Sequence, residues 1–464
     1  MTAKSLSEAV ADWLVDLRWA DVPESARLAI RDGVLQSVAG GVAGLDMPET
    51  RIALDIARRA GEPGPSTIFG AGLKAPESTA VLVNSAMFCA LEQQEMHVAS
   101  GSHPYQTIVP VALTLAEAIP VSGEQFLTAV IAGTEAMLAL AIVGLSIAPE
   151  WGMESSHASA IYGGIGAAAT AAKMMGLDRQ RTAWALGHAA HLGAGLTEGL
   201  WAGTTEYHWS LANAGRVGHL AAQLARSGAE TARLIFEGPA GFYHRFSELA
   251  PADLARHDFV GLVEARLGKI WECEANIFKR YPVHFNNLAF VDAAKALRAR
   301  HHIAPGDIRA IRLTINRWCE LCDGANLGPY HGREATRGAT AFGVAMMLSR
   351  GRYSLEDAYD HAAPDVARLV GKTTIRTFED PREARDWRSL RIEIDAPDTH
   401  VYDGKTDGVP DYRLTNAELR AIGEDALSRV LGPARSARAV EALQGIAGIS
   451  DMRELIALLN KGGA

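Results

Sequence analysis

Cysteine is scarce in this chain and scattered where it occurs: Cys89, Cys273, Cys319 and Cys322 are the four in 464 residues. That excludes the disulfide framework that staples small secreted domains. Cys319 and Cys322 are spaced as C-x-x-C, but no second cysteine or histidine pair accompanies them and no thioredoxin-like setting surrounds them. They read as free thiols rather than a zinc or redox site. Also missing are an apolar leader with a cleavage site, a basic stripe, an aromatic platform, an internal repeat and a low-complexity tract. Without a leader the expectation is a cytoplasmic protein. Without a basic stripe, and with a formal net charge of −9, nucleic acid is excluded as a partner. Long apolar runs are nearly absent too. The one stretch long enough to cross a bilayer, residues 126–148, carries Glu135 inside it, so it is predicted to be a buried core helix and no membrane partner is expected.

What is present is ordinary globular material, 48% hydrophobic and 21% charged, in a chain long enough to predict two domains. Leu6, Ala9, Val10, Trp13, Leu14 and Leu17 recur at helical spacing, with Ser5 and Glu8 placed as a capping box. Pro23 suits the first turn of the next helix. From there to about residue 265 the pattern is helical nearly throughout, rich in alanine and glycine that let helices approach closely. Composition shifts near Leu267-Gly268-Lys269. Two strands follow, at 311–315 and 390–394, each alternating apolar and polar side chains, with helices at about 287–299, 335–349 and 355–364 between them. From Thr415 helical periodicity returns through Leu419, Ile422, Ala426, Leu427, Val430 and Leu431. The fold class predicted is mainly α: a large all-helical domain from residues 1–267 plus 405–464, and a smaller α+β domain from 268–404.

Three segments carry residues suited to chemistry. Ser102-His103-Pro104 and Ser156-His157-Ala158 each feed into a small-residue helix, and Phe278-Lys279-Arg280-Tyr281-Pro282-Val283-His284 adds an ammonium and another imidazole. Carbanion chemistry next to a carboxylate needs a positioned base and a cation for the anion that forms. Helix N-termini disfavour a proton on a nearby imidazole, which keeps it a base. Arg216, Lys279, Arg280, Arg333 and Arg337 form a candidate local cluster for an anion within a globally acidic chain.

These segments, in this order, resemble the MmgE/PrpD family, whose members include 2-methylcitrate dehydratase, cis-aconitate decarboxylase and iminodisuccinate epimerase. The resemblance covers nearly the whole chain. It takes in Pro23-Glu24 opening a helix that ends in Ala39-Gly40-Gly41, then Asn84-Ser85-Ala86 and the run Gly163 to Ala169. Ala172 to Asp178, the Lys279 segment and a helix ending at Arg350-Gly351 complete it. The family implies that the C-terminal segment packs back on the N-terminal helical domain, with the α+β unit as an inserted lid, and that the protein is a homodimer. It further implies His103, His157, Lys279 and His284 as catalytic residues in one cleft, with no metal and no cofactor. Glu95, His97, Tyr207 and Arg280 are the expected substrate-binding residues.

The chain departs from the family at three places. Gln94-Glu95 stands where most members have a paired Asp-Asp, Tyr207 falls where a lysine is expected, and Phe342 falls where a tyrosine is expected. Glu95, His97 and His103 match no standard metal spacing, and His188 and His191, at i and i+3, read as satisfied core histidines. The resulting expectation is a metal-independent enzyme on a small polycarboxylate, working by proton abstraction next to a carboxylate. A lyase of the dehydratase or decarboxylase type leads, an epimerase of an iminodisuccinate-like substrate is the alternative, and a catalytically silent binding protein comes third.

Overall fold

A computed structural model describes residues 4–91, 93, 95–147, 157–199, 204–247, 249–408, 412 and 414–460. Gln94, Ser156 and Ala148, which the sequence analysis singled out, lie outside the described residues. The chain divides into two compact units. The first comprises Met1–Thr197, Glu206–Phe278 and Leu414–Ala464, and the second comprises Glu198–Thr205 and Lys279–Arg413. The first border thus falls at Phe278, eleven residues beyond the compositional shift at Leu267, because the turn Glu272–Ala275 and the strand Asn276–Ile277 still pack in the first unit. The second border falls at Arg413 rather than 404, since Asp407 pairs with Arg300 at 3.2 Å and the Tyr412 ring lies 5.7 Å from that of Trp387, both in the second unit.

The first unit is built on helices. Leu6–Asp16 begins with the expected capping box: the Glu8 N–H donates to Ser5 Oγ at 3.4 Å, and the Ser5 N–H donates to Glu8 Oε2 at 2.7 Å. Pro23 is the N-cap of Glu24–Ala43, where its missing N–H costs nothing. The apolar helix Gly123–Ile147 is 25 residues long, and 94% of its most hydrophobic window is buried inside the protein, so it is a core helix. It packs on Ala158–Met174, which in turn packs on Glu206–Arg226. The glycines and alanines set that spacing: a Cβ on Gly218 would clash with the Cβ of Ala167. At the C-terminus, Asn416–Leu431 turns Leu419, Ala426, Leu427 and Val430 inward and packs on Glu24–Ala43, as the family resemblance implied.

The all-helical expectation needs one correction. Ser66–Ile68 and Leu73–Ala75 pair as an antiparallel hairpin, and Met96–His97 pairs with Asn276–Ile277. Each strand is two or three residues long, too short for an alternating pattern. Tertiary contacts hold them instead: the Glu117 carboxylate accepts the Thr67 N–H at 2.6 Å and the Thr67 hydroxyl at 2.8 Å, and Asn84 Oδ1 accepts the Phe69 N–H at 3.1 Å.

The second unit contains a mixed sheet, in the order Thr373–Thr377, Ala310–Ile315, Arg391–Ala396, Asp398–Asp403 among the described residues. The first pair is parallel and the others antiparallel. Both predicted strands are central, burying Ile311, Leu313, Ile392 and Ile394. The two strands the sequence analysis missed are the edges. Thr-Thr-Ile-Arg-Thr and Asp-Thr-His-Val-Tyr-Asp carry the polar side chains that edge strands need, which removes the hydrophobic alternation. The helix Phe285–His301 packs on this sheet and on Thr340–Arg350.

Gly123 shows how tightly the C-terminal segment is joined to the rest of its unit. Its N–H donates to Ile449 O at 2.8 Å, and a Cβ there would meet the main-chain oxygen of Ile446. Main chain cannot rotate away, so Gly123→Ala should destabilise by roughly 1–3 kcal/mol, as overpacking does. A denaturant titration that finds the variant as stable as the parent would refute this packing.

Candidate active site

In the first unit the candidate residues are positioned by a closed turn. His97 donates its N–H to Ser102 O at 2.9 Å and accepts the Ser102 N–H at 3.3 Å, with Gly101 at φ +61° making the reversal. His103 follows directly and leads through the N-cap Pro104 into the helix Tyr105–Ala118. Its main-chain N–H donates to Ser159 Oγ at 2.8 Å, and its ring Nδ1 is hydrogen-bonded to the main-chain carbonyl of Glu95. A carbonyl only accepts, so Nδ1 carries the hydrogen and the neutral ring holds its lone pair on Nε2. One nitrogen is anchored while the other has the electron pair a base requires.

His157 is the N-cap of Ala158–Met174, with its N–H donating to Gly195 O at 3.2 Å. Ser159, two residues on, is the acceptor for His103, so one short segment serves both histidines. Tyr207, in the first turn of Glu206–Arg226, sets its ring edge-on to His157 at 6.4 Å and lies 4.0 Å from His208. Tyr207 thus adjoins His157, Ser159 links that segment to the His103 main chain, and both histidine residues are half-buried.

Three of the expected substrate contacts have partners within the protein. Glu95 is 1% exposed and its Oε1 accepts the Tyr105 N–H at 2.7 Å, so it caps the helix after His103 rather than reaching outward. His97 has no exposed surface; its Nδ1 meets Ser100 Oγ at 2.9 Å and its Nε2 lies 3.6 Å from Glu272 Oε2. Arg280, in the second unit, lies 3.7 Å from Asp292, whose other oxygen takes the Tyr281 hydroxyl at 2.8 Å, which commits the guanidinium to an ion pair. Since Glu95, His97 and His103 are tied to different partners, they do not converge as ligands. Among the described residues no group of three His, Cys, Asp or Glu side chains gathers as a metal site.

In the second unit Lys279 is 1% exposed, far from the solvated position a lysine usually takes. His284 is the N-cap of Phe285–His301, and its N–H donates to Arg337 O at 3.0 Å. The Asn287 amide donates to Gly338 O at 2.6 Å, which fixes the short helix Arg333–Gly338 against the start of the His284 helix. Arg333 and Arg337, both on that helix, are 7% exposed. Arg216, by contrast, sits exposed in the first unit, bonded to Asn213 in its own helix. Phe342 has no hydroxyl, but the rings of Tyr330 and Tyr353 flank it at 5.2 and 6.1 Å. Burial pushes the Tyr353 hydroxyl well up from its ordinary pKa, so it is a neutral phenol.

Family models match over most of the chain: the MmgE/PrpD N-terminal domain over residues 8–255 and the MmgE/PrpD C-terminal domain over residues 281–444. The chain belongs to the MmgE/PrpD family. Among the relatives of this MmgE/PrpD chain is a cis-aconitate decarboxylase of Homo sapiens, 26% identical over 313 residues, covering 66% of this chain and 62% of that protein. One from Aspergillus terreus is 25% identical over 259 residues, 53% of this chain and 51% of the relative. One from Mus musculus is 28% identical over 249 residues, 52% of this chain and 48% of the relative. The matches thus span about half to three-fifths of the length of these curated relatives.

Two features of this MmgE/PrpD site were not identified from sequence. Ser159 gave no signal beyond its place beside His157. Glu135 did signal, as the charge inside the apolar run, and its role is now visible: its carboxylate accepts the N–H groups of Glu272 and Cys273, both at 2.9 Å, directly behind His97. Of the paired histidines, His188 bonds Ala229 O at 3.1 Å as a satisfied core residue. His191 lines a cavity of about 360 Å³ with Leu196, Phe242 and Arg245, and none of the candidate catalytic side chains lines it.

Burial raises the Glu135 pKa from 4.5 to about 7, against the pull of its two backbone donors. The folded protein therefore holds this proton more tightly than the unfolded chain, and Glu135 makes stability fall as pH rises from about 4.5 to 7. Glu135→Gln loses one backbone hydrogen bond at every pH but has no such titration. Its Tm deficit relative to the parent should shrink between pH 5 and pH 8, and a constant deficit would refute the shifted carboxyl.

Proposed function

We propose that this MmgE/PrpD enzyme acts on a small polycarboxylate, without a metal, by removing a proton next to a carboxylate, and that it is a lyase of the dehydratase or decarboxylase type. The observation that carries the reading is the His103 ring: Nδ1 is tied to a carbonyl, so the neutral ring offers Nε2 as a base, with His157 and Tyr207 adjoining. His157 is the second imidazole, available to protonate a leaving hydroxide or to act as the base from another side. Lys279, with His284 as its partner, is assigned to the developing charge, and Arg333 and Arg337 add cations on the same unit. Buried cations stabilise an aci-carboxylate more than solvated ones do, since water does not screen them.

In an elimination, the base takes the proton on the carbon next to the carboxylate, and the electron pair passes into the carboxylate, held by Lys279. It then returns to form the carbon–carbon double bond as hydroxide leaves with a proton from the second imidazole. In a decarboxylation the pair left by departing carbon dioxide is quenched by the same protonated imidazole. The relatives named as cis-aconitate decarboxylases favour the lyase reading. Phe342 favours the alternative, epimerisation, because a residue without a hydroxyl cannot protonate a leaving group there. The proposed assembly is a homodimer in the cytoplasm.

The test is incubation with succinate- and citrate-like acids in deuterated water, followed by NMR. New alkene signals or lost carbon dioxide support the lyase, whereas deuterium exchange alone supports the epimerase. Replacement of the base in His103→Ala should reduce the rate by roughly 10²- to 10⁴-fold. Lys279→Met should weaken both kcat and KM. Chelator-sensitive activity that Lys279→Met leaves intact would refute the metal-free mechanism.

A further inference from the structure

Behind the His103 turn lies a group of buried ionisable side chains that no step above uses. His97 and Glu272 are 0% and 6% exposed, and their facing atoms, Nε2 and Oε2, are 3.6 Å apart. Glu272 Oε1 also takes Nε of Arg266 at 2.9 Å, together with the adjoining Nη2. On the other side of the ring, Nδ1 meets Ser100 Oγ at 2.9 Å. That hydroxyl is 2.6 Å from Ser102 Oγ and 3.3 Å from His97 O. When Ser100 gives its hydrogen to either of those oxygens, Nδ1 must be the donor. Nε2 faces a carboxylate, which only accepts. The ring is thus held between the Ser100 hydroxyl on one side and the Glu272 carboxylate on the other.

We infer that the buried His97–Glu272 contact is a positioning device for His103, holding from behind the two main-chain groups that fix the catalytic ring. Those groups are close to His97 in the chain. The Glu95 carbonyl, which holds His103 Nδ1, lies two residues before it, and the Ser102 peptide, which leads into His103, is bonded to the His97 main chain on both sides. His97 is also the point where this turn pairs with Asn276 on the neighbouring strand. Glu272 in turn is fixed through its own N–H to Glu135. Turning the His97 ring would break the Ser100 link in a buried place, where water does not replace the lost hydrogen bond. Burial alone would raise the Glu272 pKa, but the neighbouring His97 and Arg266 side chains outweigh it and hold the carboxyl below its ordinary value.

This inference rests on His103 as the base, so its test reads the ring separately from the reaction. Long-range ¹H–¹⁵N spectra of the labelled full-length protein, with His103 assigned by loss of its signals in His103→Gln, report which ring nitrogen carries hydrogen. In the parent near pH 8 this should be Nδ1. His97→Gln and Glu272→Gln should each turn His103 into a mixture of tautomers and reduce kcat about 10- to 100-fold, the scale of a misplaced catalytic group, with KM changed less than about twofold. If the variants fold, by circular dichroism, and His103 keeps its hydrogen on Nδ1, the positioning role is overturned. Ser100→Ala, which removes only the hydroxyl link, decides the matter by the same signals should both charge variants fail to fold. A tautomer change with unchanged kcat would leave the positioning intact and overturn His103 as the base.

Discussion

The bond from His103 Nδ1 to the Glu95 carbonyl is the contact on which the proposed chemistry of the first unit depends. An imidazole with two equivalent nitrogens is an undefined reagent, since either can hold the hydrogen. Anchoring one nitrogen on an oxygen that can only accept fixes which nitrogen of the neutral ring carries the hydrogen. The carbonyl comes from main chain, so no side-chain rotamer can release it. Glu95 contributes twice, because its side chain also caps the helix that begins at Tyr105. This accounts for a buried acid at a position where a substrate contact was expected.

Charge inside an apolar unit requires compensation, and the core around His97 shows how it is arranged. Glu135 sits in the most hydrophobic helix of the chain, yet it accepts two backbone N–H groups that would otherwise be orphaned at the turn Glu272–Ala275. Glu272 is held by Arg266 and faces His97. Each ionisable group thus meets the need of another, and the same contacts tie the Gly123–Ile147 helix to the turn that presents His103. The neighbouring Tyr105 hydroxyl, bonded by the Asn276 amide at 2.9 Å, extends this polar seam through apolar packing.

The second unit treats charge differently. The exposed face of its sheet carries Arg312 with Glu393 and Asp395, and Arg391 with Glu393 and Asp403, pairs that solvent screens and that contribute little each. Lys279, Arg333 and Arg337 are buried instead. A chain of net charge −9 thus takes three cations of this unit out of water, which overall composition conceals.

Much of this was legible in residues alone. The Ser5–Glu8 capping box, the core helix containing Glu135, the two central strands and the family-bearing histidines each depend on local pattern, and local pattern is what a sequence records. The all-helical reading of the first unit failed at the hairpin Ser66–Ala75, and the edge strands Thr373–Thr377 and Asp398–Asp403 escaped notice, because neither alternates. The internal partners of Glu95, His97 and Arg280 were not legible, since a carboxylate that caps a helix and one that binds a substrate look alike in one dimension. Sequence by itself determined the family, the mainly helical class and the bases available. Only the tertiary structure decided which side chains face inward and which nitrogen of His103 carries the hydrogen, because both depend on partners, from Glu95 to Glu272, that come into contact only in the folded chain.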